Sequence, residues 1–388
     1  MGVKLIWDRK KREIWCEDAE SVGTLDHGFY GTHYKAPLRL QPEEALYLLD
    51  IRNAECTDRK GKPVTFNDLA EAYSAEQPKL MARYFTYKGW RDRGLILKDI
   101  SEAGASYGRS PAKRYPPGQL KPPKFRAEGI FYAEDLATTI DDEQLGEQMY
   151  DQYWLGQHGT YKAKHRGKLT ILDIYETVFM LKHCGLKLRN AALGDVMAAA
   201  KAKHPDFELM YEVYEDWRLR GYVVKSGFKF GTHFRLYFPG ASPVLEGKEW
   251  LHSKHVIHVF PYTAKMLISE WSRAIRVAHS VRKTFILAIP GRKRKAKAAL
   301  DFLLYHRKAA GIQNPREDPP KYVMLSLSEE EHIGGAELAA AIAQARSMGL
   351  RLILAIADRE TSVTFYEVRA IQLPGSDYEY YEITWEQP

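Results

Sequence analysis

The chain carries two different internal repeats, and the first lies in its N-terminal half. The segment YFTYKGWRDRGLILK begins at Tyr84, and YEVYEDWRLRGYVVK begins 127 residues later at Tyr211. Both copies read Y-x2-Y-x2-W-R-x-R-G-x3-K, and their Tyr and Trp positions fall on one face of a helix. Gly94 and Gly221 end the helices, as glycine commonly does. The repeat predicts two copies of one folded module, with the aromatic faces as helix core.

The second repeat fills the C-terminal half. KHVIHVFPYTAKMLISEWSRAIRVAHSVRKTFILAI begins at Lys254, and KYVMLSLSEEEHIGGAELAAAIAQARSMGLRLILAI begins 67 residues later at Lys321. Each copy reads as a strand, an amphipathic helix and a buried strand, which together form an α/β unit. We therefore predict an internally duplicated protein of the α/β class, with α+β modules in the first half and α/β modules in the second.

We call units of the first repeat N-type modules and units of the second C-type modules. Two stretches rich in proline, glycine and basic residues, SYGRSPAKRYPPGQLKPPKFR and PGRKRKAK, have linker composition. The predicted organisation is an N-type module at 1–105, a linker at 106–126, an N-type module at 127–225, a C-type module at 226–290, a basic linker at 291–299 and a C-type module at 300–388.

A basic row distinguishes the two C-type copies. In RVAHSVRK, Arg276, His279 and Lys283 are spaced to share one helical face. The second copy keeps the apolar scaffold but has Ala343, Arg346 and Leu350 at the matching positions. A solvated face would be kept in both copies. The loss therefore predicts that the first copy is active and the second is structural.

Composition limits the partners. The chain has 57 Lys and Arg against 50 Asp and Glu, a net charge of +7, which favours an anionic partner such as nucleic acid. Three widely spaced cysteines indicate reduced thiols and a cytoplasmic location. The sequence contains no run of about 18 apolar residues, which a membrane-spanning helix would need. It also contains no cysteine or histidine spacing typical of a metal site. We expect no cofactor.

The first C-type module contains a tyrosine, a histidine and a lysine that could act together. Tyr237 ends the stretch GFKFGTHFRLY, His252 opens HSKHVIHVF, and Lys283 ends the basic row. Cleavage of RNA through its own 2′-hydroxyl needs a base, an acid and a fixed cation for the phosphorane charge, and needs no metal. These three residue types can supply those roles.

The stretches GYVVKSGFKFGTHFRLY, HSKHVIHVFP and RVAHSVRK resemble, in order and spacing, three consecutive motifs of the archaeal-type tRNA-splicing endonucleases. The resemblance implies cleavage of bulge-helix-bulge junctions in precursor tRNA, leaving 2′,3′-cyclic phosphate and 5′-hydroxyl ends. It implies that Tyr237, His252 and Lys283 are catalytic and that Arg276 grips a bulged nucleotide by cation–π stacking. The second arginine of that clamp has no match, because the sequence after Ile289 departs from the family.

The chain also departs from the simplest family members, which have one module of each type. An extra N-type module precedes a complete catalytic unit, and a degenerate C-type module with Pro319 in place of His252 follows it. This is similar to the fused three-unit form, which implies a homodimer. In the family an acidic loop docks into a neighbouring unit, and here Asp358 and Glu360 in the degenerate module supply that loop.

A basic insertion belongs only to the second N-type module. Gly31 to Glu44 spans 13 residues, but the matching stretch from Gly156 to Glu176 spans 20. The extra residues bring lysines, and we predict that Lys162 and Lys164 bind RNA phosphates beside the cleavage site.

Two other functions remain open. The C-type unit resembles restriction-nuclease folds, so a metal-dependent DNA nuclease is possible, with Glu246 and Lys248 as its E-x-K motif. A non-catalytic RNA-binding protein is the second alternative. We interpret His255 and His258 as packing or surface residues.

Overall fold

The computed structural model describes residues 2–33, 37–161, 163–244, 252–293, 295–309 and 311–388. None of the helices in these ranges is both long and apolar enough to span a membrane. The described residues form two five-stranded sheets of matching topology, one long sheet and two two-stranded sheets.

The first N-type module is a five-stranded sheet, in the order β3-β4-β2-β1-β5, covered by four helices. A further strand, β6, leaves this module and joins the long sheet. The elements are β1 (Lys4–Asp8), β2 (Glu13–Cys16), α1 (Ala19–His27), β3 (Thr32–His33), β4 (Leu38–Leu40), α2 (Pro42–Ile51), β5 (Glu55–Asp58), α3 (Phe66–Ser74), α4 (Leu80–Arg91) and β6 (Ile96–Asp99).

The predicted linker at 106–126 packs on the long sheet. Its strand β7 (Lys113–Arg114) pairs in parallel with a strand of that sheet. Tyr115 is 1% exposed and donates a hydrogen bond of 2.6 Å to Glu382. The segment therefore holds neighbouring parts of the chain together, although its composition is that of a solvated linker.

The second N-type module repeats the first, with the strand order β10-β11-β9-β8-β12. Its last strand, β13, again joins the long sheet. The elements are β8 (Glu128–Tyr132), β9 (Ala137–Ile140), α5 (Glu143–Tyr153), β10 (Gln157–His158), β11 (Thr170–Leu172), α6 (Ile174–Phe179), β12 (Lys187–Leu188), α7 (Leu193–Lys203), α8 (Phe207–Leu219) and β13 (Val223–Ser226).

The remaining elements form the two C-type modules. They are β14 (Phe234–Tyr237), β15 (His255–Val259), β16 (Lys265–Leu267), α9 (Ile268–Ser280), β17 (Thr284–Ala288), β18 (Phe302–Tyr305), β19 (Arg307–Lys308), β20 (Gly311–Ile312), β21 (Tyr322–Ser328), β22 (His332–Gly334), α10 (Gly335–Ser347), β23 (Arg351–Ala357), β24 (Val363–Gln372) and β25 (Tyr380–Glu386).

The long sheet has a palindromic strand order, β13-β14-β15-β17-β25-β24-β23-β21-β18-β6. Each C-type module contributes a parallel pair bridged by a helix, β15-α9-β17 and β21-α10-β23. The first N-type module adds β6 beside the degenerate C-type module, and the second adds β13 beside the catalytic one. The two halves are thus nested along the chain and meet at β24 and β25. The predicted α/β class and internal duplication are confirmed.

The two N-type modules share a buried polar cluster as well as an aromatic core. Glu44 accepts a hydrogen bond of 2.9 Å from the Gly31 amide, and Glu176 accepts one of 3.0 Å from the Gly156 amide. Both glycines have positive φ angles, which explains the residue type. The repeated Tyr and Trp side chains of α4 and α8 are fully buried, as predicted for helix core.

Candidate active site

Three adjacent strands bring Tyr237, His252 and Lys283 to one end of the long sheet. Strand β14 runs antiparallel to β15 and ends at Tyr237, whereas β15 and β17 are parallel and begin there. Leu236 pairs with His255, and His255 pairs with Thr284. The end of β14, the segment before β15 and the residue before β17 therefore lie side by side.

Ser253 connects the three candidate residues. The Lys283 Nζ donates to the Ser253 carbonyl and lies 3.0 Å from the Ser253 Oγ. Burial raises the pKa of the Tyr237 phenol, and a hydrogen bond with the Ser253 backbone opposes part of that rise. Because Ser253 directly follows His252, these contacts hold Tyr237 and Lys283 beside the segment that carries His252.

Lys283 does not lie on the helix, which corrects the predicted basic row. Helix α9 ends at Ser280, and Arg282 adopts a φ of 56° that turns the chain into β17. The turn carries Lys283 from the exposed helix face into the protein, where it is 9% exposed. Its Nζ lies 4.6 Å from the centre of the Phe230 ring. Burial, and then the charge of Arg235, lower the pKa of Lys283.

Arg235 is the cation beside Tyr237, and sequence reasoning missed it. Burial raises the pKa of Tyr237, and the Arg235 guanidinium, 5.9 Å from the ring centre, is the strongest opposing influence. The sequence does contain a signal for it, because β14 reads FRLY and the equivalent β18 reads FLLY. The degenerate copy therefore keeps a tyrosine, Tyr305, but has Leu303 in place of Arg235.

His252 is exposed and stands between two cavities. A cavity of about 430 Å³, which we call the tyrosine cavity, is lined by Tyr150, Trp154, Gln157, Tyr161, Lys164, Arg235, Tyr237, Pro243 and His252. A second cavity of about 330 Å³, which we call the lysine cavity, is lined by Phe230, His252, Ser253, Lys254, Val281, Arg282 and Lys283. The residue predicted as the acid thus borders both the predicted base and the predicted cation.

The basic insertion reaches the tyrosine cavity through Tyr161 and Lys164. Lys164 is already paired, with its Nζ 2.7 Å from Asp151 and 3.3 Å from Glu147 on α5. The hydrogen bond to Asp151 is the main reason that the pKa of Lys164 is raised. Its charge is therefore largely satisfied within the protein. Lys162 lies outside the described residues.

Arg276 and His279 stay on α9, away from both cavities. Burial raises the pKa of Tyr366 of β24, and the charge of the exposed Arg276 opposes part of that rise. His279 places its Nε2 3.2 Å from the Ile383 carbonyl of β25. The basic row is thus split: Lys283 faces the candidate active site, and Arg276 and His279 face the strands where the two halves meet.

The acidic residues Asp358 and Glu360 lie in the turn between β23 and β24. Asp358 accepts hydrogen bonds from the Glu360 and Ser362 amides, at 3.0 and 2.9 Å, and so shapes the turn. Glu360 is exposed. Of the two carboxylates, Glu360 is the one presented to solvent.

His255 and His258 are packing residues, as interpreted. His255 stacks on Phe238, with ring centres 4.7 Å apart, and burial lowers its pKa to about 4. Burial lowers the pKa of His258 to about 3. Both rings are therefore neutral at pH 7.

The alternative nuclease motif cannot be located, because Glu246 and Lys248 lie outside the described residues. Elsewhere in the described ranges, no group of three or more His, Cys, Asp or Glu side chains is arranged to hold a metal ion.

Comparison with models of known protein families shows which class of protein this chain resembles. The model of the tRNA intron endonuclease catalytic C-terminal domain matches residues 207–298, which include all three candidate residues. The model of the tRNA intron endonuclease N-terminal domain matches residues 10–70, in the first N-type module.

Comparison with individual proteins identifies particular relatives. The tRNA-splicing endonuclease of Methanococcoides burtonii is 28% identical over 321 residues, covering 68% of this chain and 90% of the relative. That of Pyrococcus furiosus is 36% identical over 128 residues, covering 32% and 70%. That of Thermococcus kodakarensis is 32% identical over 152 residues, covering 37% and 86%. The chain belongs to the tRNA-splicing endonuclease family.

Proposed function

We propose that the protein excises introns from precursor tRNA by cutting bulge-helix-bulge junctions, and that it leaves 2′,3′-cyclic phosphate and 5′-hydroxyl ends without a metal. The observation that carries this proposal is the meeting of Tyr237, His252 and Lys283 around Ser253. Family membership supports the substrate class. The free, buried thiols of the three cysteines fit a reducing cytoplasm.

The proposed reaction is an in-line attack of a ribose 2′-oxygen on the adjacent phosphorus. Tyr237 accepts the proton of the 2′-hydroxyl, and His252 donates a proton to the departing 5′-oxygen. The Lys283 ammonium stabilises the added negative charge of the phosphorane. The new bond closes the cyclic phosphate as the bond to the 5′-oxygen breaks, so no water or metal enters the cleavage step.

Tyr237 needs help to act as a base, because a free phenol has a pKa near ~10 and burial raises it further. The guanidinium of Arg235 supplies that help by favouring the phenolate. The same positive charge lowers the pKa of Lys283. We therefore assign Arg235 the role of tuning both groups.

Three further residues are assigned RNA contacts outside the cleavage step. Arg276 keeps its proposed role as a base clamp, since it is exposed, although it borders neither cavity. Lys164 contributes to the wall of the tyrosine cavity, but its two ion pairs limit the charge it offers to phosphate. Lys162 keeps the proposed phosphate contact.

We also propose that the module boundaries follow the predicted ranges and that two chains form a homodimer through the turn holding Glu360. The nested arrangement supports the division into modules, because each N-type module pairs with one C-type module. An exposed carboxylate at the tip of a hairpin supports the docking role.

The test is single-turnover cleavage of a bulge-helix-bulge RNA by Tyr237→Phe, His252→Ala and Lys283→Ala. Each should cut the rate by roughly 100-fold or more, the usual scale for acid–base groups, with little change in RNA binding. Tyr305→Phe in the degenerate module is the matched control and should cleave normally. Near-normal cleavage by His252→Ala would rule out the acid, and with it the proposed mechanism.

A further inference from the structure

The tyrosine cavity has an aromatic wall that the cleavage chemistry does not use. Tyr150, Trp154 and Tyr161 of the second N-type module line it, together with the amide side chain of Gln157. The Trp154 ring lies over Tyr237, with ring centres 4.6 Å apart and planes inclined by 41°. The predicted base is thus flanked by a large π surface at the mouth of a cavity.

The backbone fixes the position of Trp154. The residue caps the C-terminus of α5 in the left-handed conformation, with a φ of 47°, and its amide donates a bond of 2.9 Å to the Tyr150 carbonyl. A bulky side chain rarely adopts this conformation. The matching Phe29 of the first N-type module has a φ of 58°, so both repeats project an aromatic ring from the same strained turn.

The two halves use that ring differently. In the degenerate half, the Arg316 guanidinium covers Phe29 at 5.4 Å from the ring centre, and Arg316 is also paired with Asp26 at 2.5 Å. The ring is therefore occupied by a cation from its own chain. In the catalytic half, Trp154 lines a cavity of about 430 Å³ beside Tyr237.

The same cavity also contains a cationic group that could bind the sugar and phosphate of a nucleotide. The Nε of Arg235 is buried without a hydrogen-bond partner within the protein. Arg235 also lines the tyrosine cavity, so its positive charge is available to a ribose-phosphate group bound there. An aromatic wall beside a guanidinium is typical of sites that stack an unpaired base and hold its backbone.

We propose that the tyrosine cavity is a nucleobase subsite, which stacks the base on the 5′ side of the cut against Trp154. This inference rests on the proposed function, because it places the attacked 2′-hydroxyl at Tyr237. The nucleotide that carries this hydroxyl must lie on the tyrosine side of His252. The departing 5′-oxygen then lies toward the lysine cavity. Stacking accepts any base, so the subsite reads an unpaired position without reading its identity.

The test uses 2-aminopurine, whose fluorescence is quenched by stacking, in the full-length protein. One bulge-helix-bulge RNA carries it 5′ of the cut and a second carries it 3′ of the cut, each with a 2′-deoxyribose at the cut to prevent cleavage. We expect quenching beyond that of the free RNA at the 5′ position only. Trp154→Ala should abolish this quenching and weaken binding roughly 10-fold or more, and Trp154→Phe should retain most of both.

Phe29→Ala in the first N-type module is the matched control and should change neither signal. Equal quenching in Trp154→Ala and the unsubstituted protein, or quenching at the 3′ position only, would overturn the subsite. If Trp154→Ala lowers the melting temperature of the protein, Trp154→Phe and Tyr161→Ala decide the question. Loss of quenching in Tyr161→Ala, at a normal melting temperature, would still show that an aromatic wall is required. Failure of the proposed function is distinct: the unsubstituted protein would then leave the unmodified RNA uncut.

Discussion

At the scale of single residues, the electrostatics of the site depend on Arg235. Its charge opposes the effect of burial on Tyr237 and reinforces the effect of burial on Lys283. One cation thus favours the basic form of the proposed base and reduces the proton affinity of the proposed electrostatic stabiliser. The degenerate half, which has Leu303 at this position, keeps its tyrosine without such a neighbour.

Arg235→Leu, which introduces the side chain found in the degenerate half, should change the pH profile of cleavage. The pKa of Tyr237 should rise, so the limb where rate increases with pH should move to higher pH and the rate at pH 7 should fall. The pKa of Lys283 should also rise, so any loss of rate at alkaline pH should move the same way. Single-turnover rates from pH 5 to 10 test this, with Arg273→Leu, at an exposed position of α9, as control. An unshifted profile would contradict the role given to Arg235.

The sequence allowed prediction of Tyr237, His252 and Lys283, because the degenerate copy loses two of the three and so provides an internal comparison. It did not allow prediction of their environment. Helical spacing placed Lys283 beside Arg276, but the left-handed turn at Arg282 separates them. The carboxylates that pair with Lys164 come from another element, and pairing across elements leaves no local pattern in the sequence.

At the scale of elements, each N-type module is fastened to its last strand by a lysine. Lys225 of β13 donates to Glu176, at 2.6 Å, and to the Gly156 carbonyl, at 2.8 Å. Lys98 of β6 donates to the Gly31 carbonyl, also at 2.8 Å, but its ion pair is a longer one of 3.7 Å, with Glu102. The helix-strand repeat predicted these elements, whereas the buried polar cluster depends on contacts between them.

Lys225→Met should destabilise the protein more than Lys98→Met. The first change leaves the buried carboxylate of Glu176 without its cation, which typically costs about 3–5 kcal/mol. The second removes a hydrogen bond to a carbonyl and a longer ion pair. Thermal unfolding of both variants at pH 7 measures the difference. A larger loss in Lys98→Met would show that the two clusters are not organised as described.

At the scale of the whole molecule, the chain folds as two related halves joined through one sheet. The repeats predicted the duplication, and the palindromic strand order follows it. They did not predict that β25, from the end of the chain, would pair with β17 of the catalytic module. That pairing joins segments nearly 100 residues apart, and β25 lies outside both repeats, so no sequence comparison within the chain could reveal it.

The proposed homodimer should have a mass of about 89 kDa by light scattering, twice the 44.6 kDa of the chain. Glu360→Lys should shift it toward the monomer, most strongly at low salt, where charge repulsion is least screened. Reversal at Asp358 is a poorer test, because that carboxylate also shapes the turn. Glu317→Lys, at another exposed glutamate, is the matched control. A fully active monomer would refute the docking proposal.

In the proposed mechanism RNA is cut by its own 2′-hydroxyl, with Tyr237, His252 and Lys283 as the reacting groups. The most direct measurement is incubation of the protein with a bulge-helix-bulge precursor in excess EDTA, followed by analysis of the new ends. We expect undiminished cleavage, with 2′,3′-cyclic phosphate on the upstream product and a 5′-hydroxyl on the downstream one. Cleavage that stops in EDTA, or that leaves a 5′-phosphate and a 3′-hydroxyl, would contradict it.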